Sequence, residues 1–150
     1  MTFQNGVKYL KNKRGITLIE ILVVLAIIAL LATVVTTRVT GYLAKAKVDT
    51  AKTQIKTFTQ ALELYRADND YYPTTDQGLA ALISVPTVGN VPENYPAGGY
   101  IKQKQIPKDP WNNDYAYVCE DGEVYAIISY GKDKKEGGAG DAADISSDDL

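Results

Sequence analysis

The chain has 150 residues, 45% of them hydrophobic and 23% charged, with a formal net charge of −2. Once an apolar N-terminal stretch is set aside, that length holds one modest domain. There is no histidine and one cysteine, Cys119, which removes the commonest general base near neutral pH, the commonest zinc ligand and any intrachain disulfide.

The charge is unevenly spread. Residues 1–15 carry Lys8, Lys11, Lys13 and Arg14 with no acid, so residues 16–150 have a formal charge of −6 against −2 for the whole chain. Residues 133–150 hold Asp133, Glu136, Asp141, Asp144, Asp148 and Asp149 against Lys134 and Lys135. Such a balance argues against nucleic-acid binding, which needs clustered cations to neutralise phosphates.

From Ile16 to Val35 the sequence reads ITLIEILVVLAIIALLATVV, broken only by Thr17, Glu20 and Thr33. As a helix it spans about 30 Å, enough to cross a bilayer, and it exceeds the apolar core of a secretory signal peptide. The four cations before it favour a cytoplasmic N-terminus, a bias weakened by Arg38, Lys45 and Lys47 just after it. Glu20 is the anomaly, since a carboxylate at mid-bilayer costs about 2.5–3.5 kcal/mol. Either it is solvated at the headgroup level, or it pairs with a cation from another chain.

Beyond the span, Ala44, Val48, Ala51, Ile55, Phe58, Leu62 and Tyr65 recur at alternating intervals of four and three residues, one face of a helix. Lys45, Lys47, Asp49, Lys52, Lys56 and Glu63 fall off that face. The stripe is read as packing on this chain's own head in preference to an oligomeric seam. One helix from Ile16 to about Asp68 is expected, with Gly41 as a weak point, ended by Asn69-Asp70-Tyr71-Tyr72-Pro73.

In the head, Thr74-x-x-Gln77 has the pattern of a capping box opening a short helix through Leu79, Leu82 and Ile83. The prolines and glycines between Pro86 and Gly99 predict a loop. Tyr115–Val118 and Val124–Ser129 read as a hairpin turning through residues 119–123, with Cys119 a small buried or strand-end residue. Gly131 to Asp144 combines flexible backbone with carboxylates. By chemistry alone it is a solvated acidic tail or a calcium loop, since calcium accepts 6–8 oxygens in irregular geometry; the acid spacing is not that of an EF-hand.

Lys13-Arg14-Gly15 followed by Ile16-Thr17-Leu18-Ile19-Glu20 resembles the type IV prepilin cleavage motif. The resemblance implies that a membrane peptidase cuts after Gly15 and that the new N-terminal residue, Ile16, is methylated. It also implies that Glu20 meets the freed α-amino group of a neighbouring subunit. Ile16 stands where that family usually has phenylalanine, and Thr36-Thr37 where related fibre proteins commonly carry a proline. Tyr72-Pro73-Thr74-Thr75-Asp76-Gln77-Gly78-Leu79, Gly99-Tyr100-Ile101, Pro107-Lys108-Asp109-Pro110-Trp111 and Tyr115 follow in order. Together with the cleavage motif they are similar to the major pseudopilins of type II secretion, the general secretion pathway protein G family, over residues 14–145.

That resemblance implies an α+β fold of the type IV pilin kind, with a long N-terminal transmembrane and spine helix packed on a small antiparallel sheet head. It divides the chain into a leader (1–15), a transmembrane segment (16–40) and a periplasmic head (41–150). It implies a non-enzymatic homo-oligomer, a helical fibre in the periplasm acting as the moving piston of secretion, its subunits anchored once in the inner membrane with a cytoplasmic N-terminus. The implied partners are minor pseudopilins, prepilin peptidase, an inner-membrane assembly platform with its ATPase, and the secreted proteins. Calcium is implied in the acidic loop, with Asp133, Asp141 and Asp144 as side-chain ligands and the Tyr130 carbonyl as a backbone ligand. The rival readings are a type IV pilin for adhesion or DNA uptake, many of which pin a C-terminal loop with a disulfide that one cysteine cannot form, and a signal-anchored ligand-binding module or enzyme.

Overall fold

A computed structural model describes residues 15–150, at residues 34–38 and 141 for the backbone only. Lys13, Arg14 and the rest of the leader before Gly15 lie outside the described residues. Helix α1 runs Leu18–Asn69, within two residues of the expected bounds. Its end has a local cause: Asp70 adopts a left-handed φ of 68° while its N–H donates to the Arg66 carbonyl at 2.7 Å, and Pro73 follows. The Asn69 side chain caps the same turn, donating to the Tyr65 carbonyl at 2.8 Å.

The chain forms two compact units, one ending at Thr40 and the other comprising Gly41–Leu150. In the first, the large apolar side chains that are described are exposed, among them Leu18, Leu25, Leu30 and Leu31. Among the described residues no helix is long and apolar enough to cross a membrane; the part of the apolar run with described side chains stops at Thr33.

The second unit is built on the stripe read from the sequence. Ala51, Ile55, Phe58, Leu62 and Tyr65 are buried, and Ala44 and Val48 half-buried, while Lys45, Lys52, Lys56 and Glu63 stay exposed. Complete burial of Ile55, Phe58 and Leu62 stabilises by about 1.5–3 kcal/mol each. They share one core with Leu79, Leu82, Ile101, Tyr115, Tyr117, Cys119, Ile127 and Ile145. Phe58 meets Tyr115 edge-on at 5.3 Å between ring centroids, and Tyr65 meets Tyr100 at 5.2 Å.

The sheet has three antiparallel strands in the order β1 (Ala116–Val118), β2 (Ala126–Ser129), β3 (Ile145–Ser146). Tyr117 faces Ile127 across the first pair and Ser129 faces Ile145 across the second. The hairpin is the one expected, but its strands are shorter and a third strand joins it. The shortening has a reason in hydrogen bonding. Thr75 N donates to the Cys119 carbonyl at 2.8 Å, Cys119 N to Thr75 Oγ1 at 2.8 Å, and Tyr72 N to the Gly122 carbonyl at 2.9 Å. The Cys119 backbone, opposite Tyr125 in this register, is thus paired with the segment that follows α1, so β2 does not extend back through Tyr125 and Val124. Cys119 is buried, as its strand-end position suggested.

The Thr74–Gln77 pair forms half of the expected box: Gln77 Oε1 accepts from Thr74 N at 3.0 Å. The element that follows is a single 3-10 turn, Leu79–Leu82, preceded by Gly78 at φ 59° with no side-chain cap. Gln77 instead turns its amide to the Val88 and Asn90 carbonyls, both at 2.8 Å, and so ties down the 86–99 loop.

Candidate functional site

The first candidate site is the segment entering α1. Gly15 and Ile16 are exposed and non-helical, and a Cβ built on Gly15 meets nothing within 4 Å. The 15–16 bond thus lies in exposed, non-helical chain just ahead of the helix. Thr17 and Glu20 then close a capping box on the helix. Glu20 N donates to Thr17 Oγ1 at 3.3 Å, and Thr17 N donates to Glu20 Oε2 at 3.4 Å. In the single chain Glu20 therefore satisfies its own helix start, and its carboxylate stays exposed and near an N-terminus whose dipole favours it. Sequence reasoning treated Glu20 only as a charge in an apolar run, yet Thr-x-x-Glu ahead of that run was a readable signal.

The second candidate is the acidic loop. Gly131 is buried at φ 59°, residues 132–140 are exposed, and Lys134, Gly137, Gly138 and Gly140 all have positive φ. Gly138 is the most constrained, because a Cβ there would collide with the Ala142 carbonyl. Asp144 reaches back across the loop, its Oδ2 accepting from Gly137 N at 2.8 Å. Asp133 makes a local turn, with Lys135 N donating to Oδ1 at 3.2 Å. Tyr130 is half-buried at the end of β2, and the Asp141 side chain lies outside the described residues. Among the described residues no three acidic side chains converge as a metal cluster. Asp144 Oδ1 is nevertheless buried without a hydrogen-bond partner among them. An orphaned carboxylate oxygen in a glycine-rich loop has the donor chemistry that a hard, oxygen-seeking cation requires.

The family model for the prokaryotic N-terminal methylation motif matches residues 10–36, and that for type II secretion system (T2SS) protein G matches residues 38–148. The chain belongs to the type II secretion system protein G family. Type II secretion system core protein G of Vibrio cholerae is 43% identical over 140 residues, covering 93% of this chain and 94% of the relative. The corresponding protein of Pseudomonas aeruginosa is 41% identical over 136 residues, covering 90% and 94%. The crystal structure of the major pseudopilin from the type 2 secretion system of enterohaemorrhagic Escherichia coli superposes with a TM-score of 0.60 at 36% identity, over 71% of this chain and 90% of that one. This protein G family member is thus a major pseudopilin carrying the methylation motif on which prepilin peptidase acts, and the pilin and ligand-binding alternatives give way to that reading.

Proposed function

We propose that the chain is cleaved between Gly15 and Ile16, is held by residues 16–40 in the inner membrane with its N-terminus in the cytoplasm, and polymerises into a periplasmic fibre. It acts as a structural subunit. Assembly would involve prepilin peptidase, minor pseudopilins and an ATP-driven inner-membrane platform, with secreted proteins as the cargo moved. The observation that carries this reading is the exposed, non-helical Gly15–Ile16 segment immediately before a helix whose first turns, Leu18 to Leu31, expose their apolar side chains. Once the bond is cut, the new α-amino group belongs to Ile16, and Glu20 of a neighbouring subunit is the carboxylate positioned to receive it in a low-dielectric bundle. Gly15→Trp places a bulky side chain where the peptidase meets bare backbone. Co-expression with prepilin peptidase should then leave the 150-residue precursor in the membrane; a normal mature form from this variant would contradict the reading.

Calcium belongs to the same proposal. Asp144, with its unpartnered Oδ1, together with Asp133, Asp141 and the Tyr130 carbonyl would hold the ion, which supplies a cross-link across a loop rich in glycine. Ordering that backbone costs entropy, and a ligand that binds only the folded form offsets it by about 2.7 kcal/mol at a hundredfold excess over Kd. Thermal melts of the detergent-solubilised chain should shift to lower temperature when a chelator replaces calcium. Superimposable melts would return the loop to a solvated acidic tail.

A further inference from the structure

A buried carboxylate outside both candidate sites has every acceptor position filled. Asp109, only 4% exposed, lies in the Pro107-Lys108-Asp109-Pro110-Trp111 motif. Its Oδ1 accepts from Trp111 N at 3.0 Å and Asn113 N at 2.7 Å. Its Oδ2 accepts from Ser129 Oγ at 2.7 Å and Asn113 Nδ2 at 3.3 Å. A carboxylate offers about four lone-pair sites, so the group is saturated. The turn beneath it is closed by Asp109 N donating to the Asn113 carbonyl at 2.8 Å and Asn112 N donating to the Asp109 carbonyl at 2.9 Å, with Asn112 left-handed at φ 68°.

The two side chains that Asp109 holds in turn hold one peptide unit on each side of Gly131. Asn113 Nδ2 donates to the Gly131 carbonyl at 2.7 Å, and Gly131 N donates to Ser129 Oγ at 3.4 Å. Ser129 is fully buried and ends β2, Gly131 is the last buried residue before the loop, and residues 132–140 beyond it are exposed. The Tyr130 carbonyl belongs to the peptide unit between these two anchored residues, so its direction is set by them.

We propose that Asp109 is a positioning residue for the acidic loop: through Ser129 and Asn113 it clamps Gly131 and fixes where the 132–144 segment leaves the sheet. The clamp acts with or without a bound ion, and its consequence for cation binding rests on the calcium reading above. An aspartate fits because an asparagine at 109 would turn an N–H2 group toward the donor-only Asn113 Nδ2 and force the Ser129 hydroxyl to reverse, or would turn it toward two backbone N–H groups, leaving donors facing donors.

The test uses the full chain in detergent, as wild type, Asp109→Asn and the milder Ser129→Ala. With chelator present, trypsin cleavage after Lys132, Lys134 and Lys135 is timed by mass spectrometry against cleavage after Lys52 and Lys56 in α1. The clamp predicts loop cleavage faster by about tenfold in Asp109→Asn and by about threefold in Ser129→Ala, with the α1 sites unchanged. Calcium titration should show an affinity lower by about tenfold in Asp109→Asn. Loop cleavage at the wild-type rate in both variants, or rising only in step with cleavage of α1, overturns the proposal. Absence of calcium binding by the wild type would defeat the calcium reading alone, because the chelator experiment still decides the clamp.

Discussion

The two halves of α1 are made of similar residues and meet opposite surroundings. Leu22, Leu25, Ile28 and Leu31 in the first half are each more than half exposed, whereas Ile55 and Leu62 in the second are completely buried. The second half meets its partners within the chain: the Leu79–Leu82 turn, Ile101 and the sheet lie against its stripe. The first half carries apolar side chains all round, a pattern that is stable only in lipid or against other copies of itself. One helix therefore specifies a fold at one end and an environment at the other.

Breaking the buried half should have the largest effect. Phe58→Ala removes a ring fully packed against Tyr115 and should destabilise the head by about 3–5 kcal/mol in denaturant titration. Leu25→Ala, at an exposed position, should change the same measurement by less than about 0.5 kcal/mol while weakening fibres. Equal losses of head stability would abolish the distinction.

Next in size is Glu20→Gln, which keeps the shape of the capping side chain and removes its charge. Cleavage after Gly15 should persist. Fibre yield should collapse, since leaving an amine unpaired in a low-dielectric bundle costs about 3–5 kcal/mol per subunit. Wild-type fibres from this variant would sink the ion-pair assignment.

A smaller effect sharpens the comparison from the side of the head, where α1 buries its tyrosine. Burial is the main cause raising the phenol pKa values of Tyr65, Tyr115 and Tyr117 above their ordinary value of 10.0. A raised folded-state pKa means that the stability contribution is intact below the unfolded pKa and declines as pH climbs above it toward the folded one. Head stability should hold to about pH 10 and then fall by about 1.4 kcal/mol per pH unit for each such tyrosine, with tyrosinate absorbance appearing as the head unfolds. Ionisation of all eleven tyrosines as exposed phenols, with no loss of stability, would contradict the packing described.

The helix was legible because its cause is local: the alternating four- and three-residue spacing from Ala44 to Tyr65 gave the phase of the buried stripe, and Pro73 its limit. The hairpin was legible in kind but not in extent, since Thr75, more than forty residues upstream of Cys119, takes the hydrogen bonds that would have lengthened it. Strand β3 is two residues long, and its pairing with β2 comes from tertiary closure with no periodic signal in the chain. The acids of the C-terminal loop could be named from the sequence. That Asp144 folds back to Gly137 depends on left-handed glycines that composition alone does not place. Asp109 was visible only as part of a motif, because Ser129 and Gly131, the residues that reveal its role, lie about twenty positions away.

The central claim is that the exposed half of α1 becomes the start of the mature chain and the core of a fibre. Its most direct test is the intact mass and N-terminal sequence of subunits in fibres sheared from cells with a working secretion system. The account predicts a 135-residue subunit beginning at Ile16, with its amino group methylated. Fibres built from chains that still begin at Met1 would contradict it.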